Sequence, residues 1–266
     1  MIPIGDLTRP HRRGYVTWLL VAVNAVVFFG FQLAGDACDQ MRFLYEYSAI
    51  PRELTTLQPL SGGELAAALQ GCPTDGIEKN IALSAVTSAF LHGSTLHLFG
   101  NLIYLVVFGD DVESRIGHLR FAGFTLLGAV AATSAHALVQ PASTTPLVGA
   151  SGLVAAILGA YLLCFPRATV LTLVPFPLYV LTWFVPGLRT VRFYLIAAVV
   201  TFPAWLLLLG WFALQVTAVQ QPVGDPVAYD AHIAGFLAGI AMILIIDRRR
   251  RRRGRTPFHP PRRTLP

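Results

Sequence analysis

Apolar stretches long enough to cross a bilayer recur along this chain, at about 15–35, 82–109, 119–139, 148–165, 194–219 and 231–247. A hydrocarbon core about 30 Å thick takes roughly 20 apolar residues of helix, so the chain reads as an all-α polytopic membrane protein. The composition agrees: 55% of the 266 residues are hydrophobic, only 13% are charged, and the mean hydropathy is +0.60. That is more apolar matter than a water-soluble domain of this size can bury. The first stretch follows Arg9, Arg12 and Arg13 with no small-residue cleavage site behind a short apolar core, so it reads as a retained helix.

A further uncharged run, Ala168 to Val185, would pass a hydropathy threshold as a seventh span. Pro175, Pro177 and Pro186 remove helix donors there, which favours a re-entrant or interfacial segment. Charge separates the two readings. With six spans and a cytoplasmic N-terminus, the inner segments hold Arg9, Arg12, Arg13, Arg115, Arg120, Arg167, Arg189, Arg192 and the nine arginines after residue 247, which is 17 of the 20 basic residues. A seventh span would move Arg189, Arg192 and the C-terminal arginines outside, against the positive-inside bias. The expected layout is a cytoplasmic segment 1–14, a membrane domain 15–247 with both ends inside, and a basic, disordered cytoplasmic tail 248–266.

The net charge of +6 is concentrated in that tail, beginning with the run Arg248 to Arg253 directly after an apolar segment. This placement points to a cytoplasmic stop against anionic lipid and away from nucleic acid. The outer loop, about 36–80, carries seven acidic and three basic residues and contains segments such as Pro51-Arg-Glu-Leu that can form short interfacial helices. Cys38 and Cys72 share this loop, either as a disulfide if it lies outside the cytosol or as two separate thiols. Cys164 lies within a span.

Polar side chains are costly in hydrocarbon and suggest function by default. Three places carry them: Gly149-Ala-Ser151-Gly152 at the outer start of the fourth span, Ala231-His232-Ile-Ala-Gly235 running on to Gly239 at the outer start of the sixth, and His97 with Asn101 in the second. All three spans run from outside to inside, so Ser151 and His232 fall within about a turn of their outer ends. A serine hydroxyl needs a base to become a nucleophile, and a neutral imidazole suits that task. Ser151 is therefore the candidate nucleophile and His232 its general base. His97 and Asn101, spaced i and i+4, share a face and can donate to a developing oxyanion along with the Ser151 amide. Gly149 and Gly152 remove bulk beside the serine, and Gly235 with Gly239 makes a small-residue face for helix packing. Asp230, two positions before His232, points away, so the expected machinery is a dyad. On a continuous second span His92 lies about 140° around from His97 and is read as structural. Glu113 and Arg115 fall at the inner end of that span as ties for the inner loop.

These stretches resemble the rhomboid proteases: Gly-Ala-Ser-Gly, Ala-His-Ile-Ala-Gly-Phe-Leu-Ala-Gly, His-Gly-Ser-Thr-Leu-His-Leu-Phe-Gly-Asn and Gly-Asp-Asp-Val-Glu-Ser-Arg-Ile-Gly occur in family order over about residues 15–247. The resemblance implies a six-transmembrane-helix rhomboid fold and a Ser151–His232 dyad with oxyanion contacts from His97 and Asn101. It further implies a serine endopeptidase that cuts membrane-anchored, single-span proteins in or near their transmembrane segments, needing no cofactor or metal. Two departures stand out: the outer loop lacks the Trp-Arg pair many members carry, and the 168–192 region is longer than the family pattern. Three other functions compete. A metalloprotease would need His92, His97 and His232 around zinc without a His-Glu-x-x-His. An inert binder of transmembrane helices would need neither Ser151 nor His232. A transporter would show a repeat or intramembrane carboxylates. The expected location is a bacterial plasma membrane, with the site opening to the outer face.

Overall fold

The computed structural model describes residues 2–7, 13–174, 198–219 and 227–252. Strand β1, Ile2–Asp6, precedes α1, Tyr15–Val26, which widens into a π-helical turn at Val27–Gln32. The outer loop holds three short helices, α2 (Ala37–Tyr47), α3 (Pro51–Thr56) and α4 (Gly62–Leu69). Next come α5, Ile81–Thr87, with a 3₁₀ turn to Phe90, then α6 (Thr95–Ile116), α7 (His118–Val139) and α8 (Ser151–Cys164). Strands β2, Thr169–Val174, and β3, Ala198–Pro203, are followed by α9 (Ala204–Ala218) and α10 (Tyr229–Arg252).

By length and composition Tyr15–Gln32, His118–Val139 and Tyr229–Arg248 suffice to cross a membrane, and α5 with α6 makes a fourth, bent candidate. The chain is an integral membrane protein built mainly of helices. Helix α8, 14 residues long, spans only about 21 Å, yet all its side chains except those of Ser151, Leu162 and Leu163 are buried. A helix that is apolar on every side belongs in the middle of a bundle. Its neighbours α6, α7 and α10 enclose it around a core that includes Leu105, Phe108, Phe121, Ile157, Tyr161 and Phe236.

Close approach between α8 and α10 depends on glycines. A Cβ on Gly235 would lie 2.5 Å from the Gly152 carbonyl oxygen, and one on Gly239 would overlap the Ala156 carbonyl. At the far end of the bundle Glu113 caps α1, accepting from the amides of Val16 (2.9 Å) and Thr17 (2.8 Å) and from the Thr17 hydroxyl (2.7 Å). Four free amides at a helix start suit a carboxylate. Arg115 meets Asp247 of α10 at 3.4 Å.

Several expected boundaries move. The second stretch, 82–109, is not one helix: the axis turns by 81° between α5 and α6. Ser94 starts α6 anew, its hydroxyl accepting from the His97 amide at 3.1 Å, with Leu91 extended before it. The fifth stretch was expected from 194, but its helix begins at Ala204. Residues 198–203 instead pair with β2, and β2 pairs with β1, both antiparallel, giving the order β1-β2-β3. Alternating Thr, Val and Leu fit a strand as readily as an apolar helix. The interfacial reading of 168–185 therefore meets a strand over 169–174, and its remainder lies outside the described residues. Helix α10 continues to Arg252 into the basic run, and the rest of the tail, 253–266, also lies outside them. Cys38 and Cys72 form a disulfide with their Cα atoms 5.4 Å apart, which resolves the two readings of that pair.

Candidate active site

Ser151 is the first residue of α8 and is half-buried. The approach segment 140–150 is held at five points, one of them the Thr55 hydroxyl donating to the Pro141 carbonyl at 3.1 Å. Ser143 O accepts from the Arg52 amide (3.0 Å), the Leu147 amide donates to Ala49 O (2.7 Å), and the Gly149 amide donates to Ser88 O (2.9 Å). The Ala150 amide points at His92 Nε2 at 3.4 Å. A small, partly open recess of about 20 Å³ adjoins Ser151 and is walled by Ala129, Ala132, Thr133, Gly149, Gly152 and Ala231 among others. Its walls are mostly small side chains.

Gly149 has φ +127°, a conformation open to glycine alone, and a Cβ there would stand 2.7 Å from His97 Cε1 and 2.8 Å from His97 Nε2. The side-chain nitrogen of Asn101 lies 3.6 Å from the same point. His97 and Asn101 thus both rest against the backbone that leads into Ser151. Asn101 is 7% exposed, and its Nδ2 has no hydrogen-bond partner among the described residues. Gly152 packs against α7, a Cβ there falling 2.6 Å from that of Ala132. Both glycines therefore serve tight internal packing, against His97 and against Ala132.

His232 sits in the first turn of α10, half-buried. Ala231 lines the same recess as Ser151, and the Gly235–Gly152 contact lies one turn further along. The hydrogen bond described for the His232 ring goes to Gln215 of α9, from Nδ1 to Oε1 at 2.8 Å, and not to Ser151. Trp211 and Tyr229 flank the ring at centroid distances of 6.0 and 6.4 Å. Asp230 faces away, as its position suggested, and bonds His136 Nδ1 of α7 at 2.7 Å.

His92 requires a correction. Because the helix breaks between Leu91 and Ser94, the angle assigned to it on a continuous span does not apply. It is fully buried, its ring centroid is 5.2 Å from that of His97, and it braces the residue before Ser151. Gln32, in the π-helical turn, holds the break from both sides: its Oε1 accepts from the His92 amide at 2.9 Å and its Nε2 donates to the His92 carbonyl. Gln32, His92, His136 and Gln215 are the site's neighbours that sequence reasoning missed or set aside. A polar residue inside an apolar span was the available signal for each. Among the described residues no three His, Cys, Asp or Glu side chains converge as metal ligands.

Glu113 and Arg115 lie at the opposite end of α6, about 24 and 27 Å along the helix from His97. They tie α1 and α10 and take no part in this cluster.

The sequence profile of the Rhomboid domain matches residues 80–249. Rhomboid-related protein 2 of Mus musculus is 29% identical over 183 residues, covering 69% of this chain and 53% of that protein. The chain spans about half the length of this curated relative.

Proposed function

The chain belongs to the rhomboid family, and from that premise we propose that it is an intramembrane serine endopeptidase cutting membrane-anchored, single-span proteins in or near their transmembrane segments. The observation that carries the reading is a half-buried serine at a helix start, with Asn101, a buried amide donor that has no partner among the described residues, against the backbone leading into it, on a helix packed through glycines against the one that bears His232.

Ser151 Oγ attacks the scissile carbonyl carbon while His232 Nε2 takes the hydroxyl proton. The tetrahedral oxyanion accepts from Asn101 Nδ2, from His97 and from the amide at the start of α8, where the helix dipole also favours negative charge. The imidazolium then gives its proton to the departing amine as the C–N bond breaks, leaving an acyl-serine. A water, deprotonated by the same ring, attacks the acyl carbon, and the proton returns to Ser151 Oγ as the acid product leaves. The small side chains around the recess suit a substrate residue with a small side chain beside the cut.

The topology belongs to the same proposal: both termini in the cytoplasm of a bacterial host, six spans, and the site open to the outer face. The partners are the bilayer and transmembrane substrates, and neither metal nor nucleic acid takes part. Purified protein in detergent is expected to cleave a single-span substrate, and Ser151→Ala is expected to abolish the cut. Cleavage persisting in that variant would overturn the assignment.

A further inference from the structure

The geometry points to Gln215 as a positioning residue that sets the tautomer of His232 and so aims its free nitrogen at Ser151. This rests on the proposed function.

A neutral imidazole can serve as base for Ser151 only through a nitrogen that carries no hydrogen, and the partner of the other nitrogen decides which one that is. Gln215 lies in a largely apolar helix, is 9% exposed, and places Oε1 2.8 Å from His232 Nδ1. Its amide has one orientation compatible with both neighbours. The Trp211 carbonyl, 3.4 Å away, can only accept, so the Gln215 NH₂ faces it and the oxygen faces the imidazole. An amide oxygen can only accept in turn, so His232 Nδ1 carries the hydrogen and Nε2 is left as the lone-pair nitrogen. Trp211 restrains the ring from its own helix and Tyr229 from the other side. Catalytic bases are commonly oriented by such a third group.

The carboxylate nearest in sequence is not available for this role, since Asp230 is engaged by His136. The titratable groups that act on His232 from neighbouring elements are His97 of α6, His136 of α7 and Asp230 of α10 itself. Gln215 is neutral, so it orients the ring without adding a counter-charge for the imidazolium.

The test has two readouts on the full chain in detergent. Nitrogen-15 NMR of labelled histidine reports the tautomer directly and needs no catalysis. The Nδ1–H form is expected to dominate at His232 in the wild type, and a dominant Nε2–H form would overturn the inference. In kinetics, Gln215→Leu is expected to lower kcat about tenfold to a hundredfold at unchanged KM, as the oriented base is lost. Gln215→Glu is expected to recover kcat with the acid limb of its pH profile moved to higher pH, because a carboxylate stabilises the imidazolium. A Gln215→Leu enzyme with wild-type kcat would overturn the inference, as would a Gln215→Glu profile superimposable on the wild type. Failure of the protease reading registers separately, as cleavage that survives Ser151→Ala.

Discussion

Asn101 keeps a buried amide donor without a partner among the described residues, a state that costs about 1–3 kcal/mol in a folded protein. In the proposed reaction the oxyanion takes up that donor only as the transition state forms. Asn101→Ala is therefore expected to lower kcat by about 10²–10³-fold with little change in KM, read from initial rates on a single-span substrate. A variant with unchanged kcat would remove Asn101 from the reaction. The residues of this cluster differ in how visible they were in the sequence. Ser151, His232, His97 and Asn101 stood out because each sits with glycines or a second polar group inside an apolar run. Gln215, Gln32 and His136 were just as polar in similar surroundings, but their partners lie 17, 60 and 94 positions away. No spacing rule on one helix reveals such a partner.

Helices α8 and α10 touch backbone to backbone, and that contact lies one turn from His232 and one residue from Ser151. Gly239→Val would drive a branched side chain into the Ala156 carbonyl, where neither backbone can rotate away. The expected cost is about 3 kcal/mol or more, with loss of cleavage, read as a lowered Tm and loss of activity. Gly210 in α9 makes the internal comparison, since a Cβ there meets nothing within 4 Å. Gly210→Ala should leave activity intact and raise stability by up to about 1 kcal/mol through helix propensity. Equal effects of the two substitutions would remove the packing argument. The small-residue face of α10 was legible because glycines four apart on a helix share a side. The break before Ser94 was not, because hydropathy averages across a kink. Nor was the start of α9, because Ala-Val-Val-Thr-Phe-Pro is equally apolar as strand or helix.

The described residues form two hydrophobic cores. One runs through the bundle from Leu20 to Ile243; the other, in the outer loop, gathers Tyr45, Ile50, Leu60 and Leu69 beside the Cys38–Cys72 disulfide. An ion pair buried with it, Lys79 Nζ to Glu53 Oε2 at 2.6 Å, also belongs to the outer unit, and burial holds the Lys79 ammonium below its ordinary pKa despite Glu53. Because the disulfide closes a loop of 34 positions, its removal releases about 3–4 kcal/mol of chain entropy to the outer unit. In the Cys38→Ser/Cys72→Ser protein, hydrogen exchange is expected to quicken over α2 to α4 while α6, α8 and α10 keep their protection. Exchange that quickens evenly throughout would mean that the two cores unfold as one. The sequence by itself determined the solvent of this chain and the helices that carry the serine and the histidine. Those are properties that residues bring with them and that add along the chain. The tertiary structure alone decided where the second stretch breaks, that a three-stranded sheet joins segments far apart in sequence, and which side chain holds the second nitrogen of His232. Each depends on a contact between distant positions, and such a contact exists only once the backbone has packed.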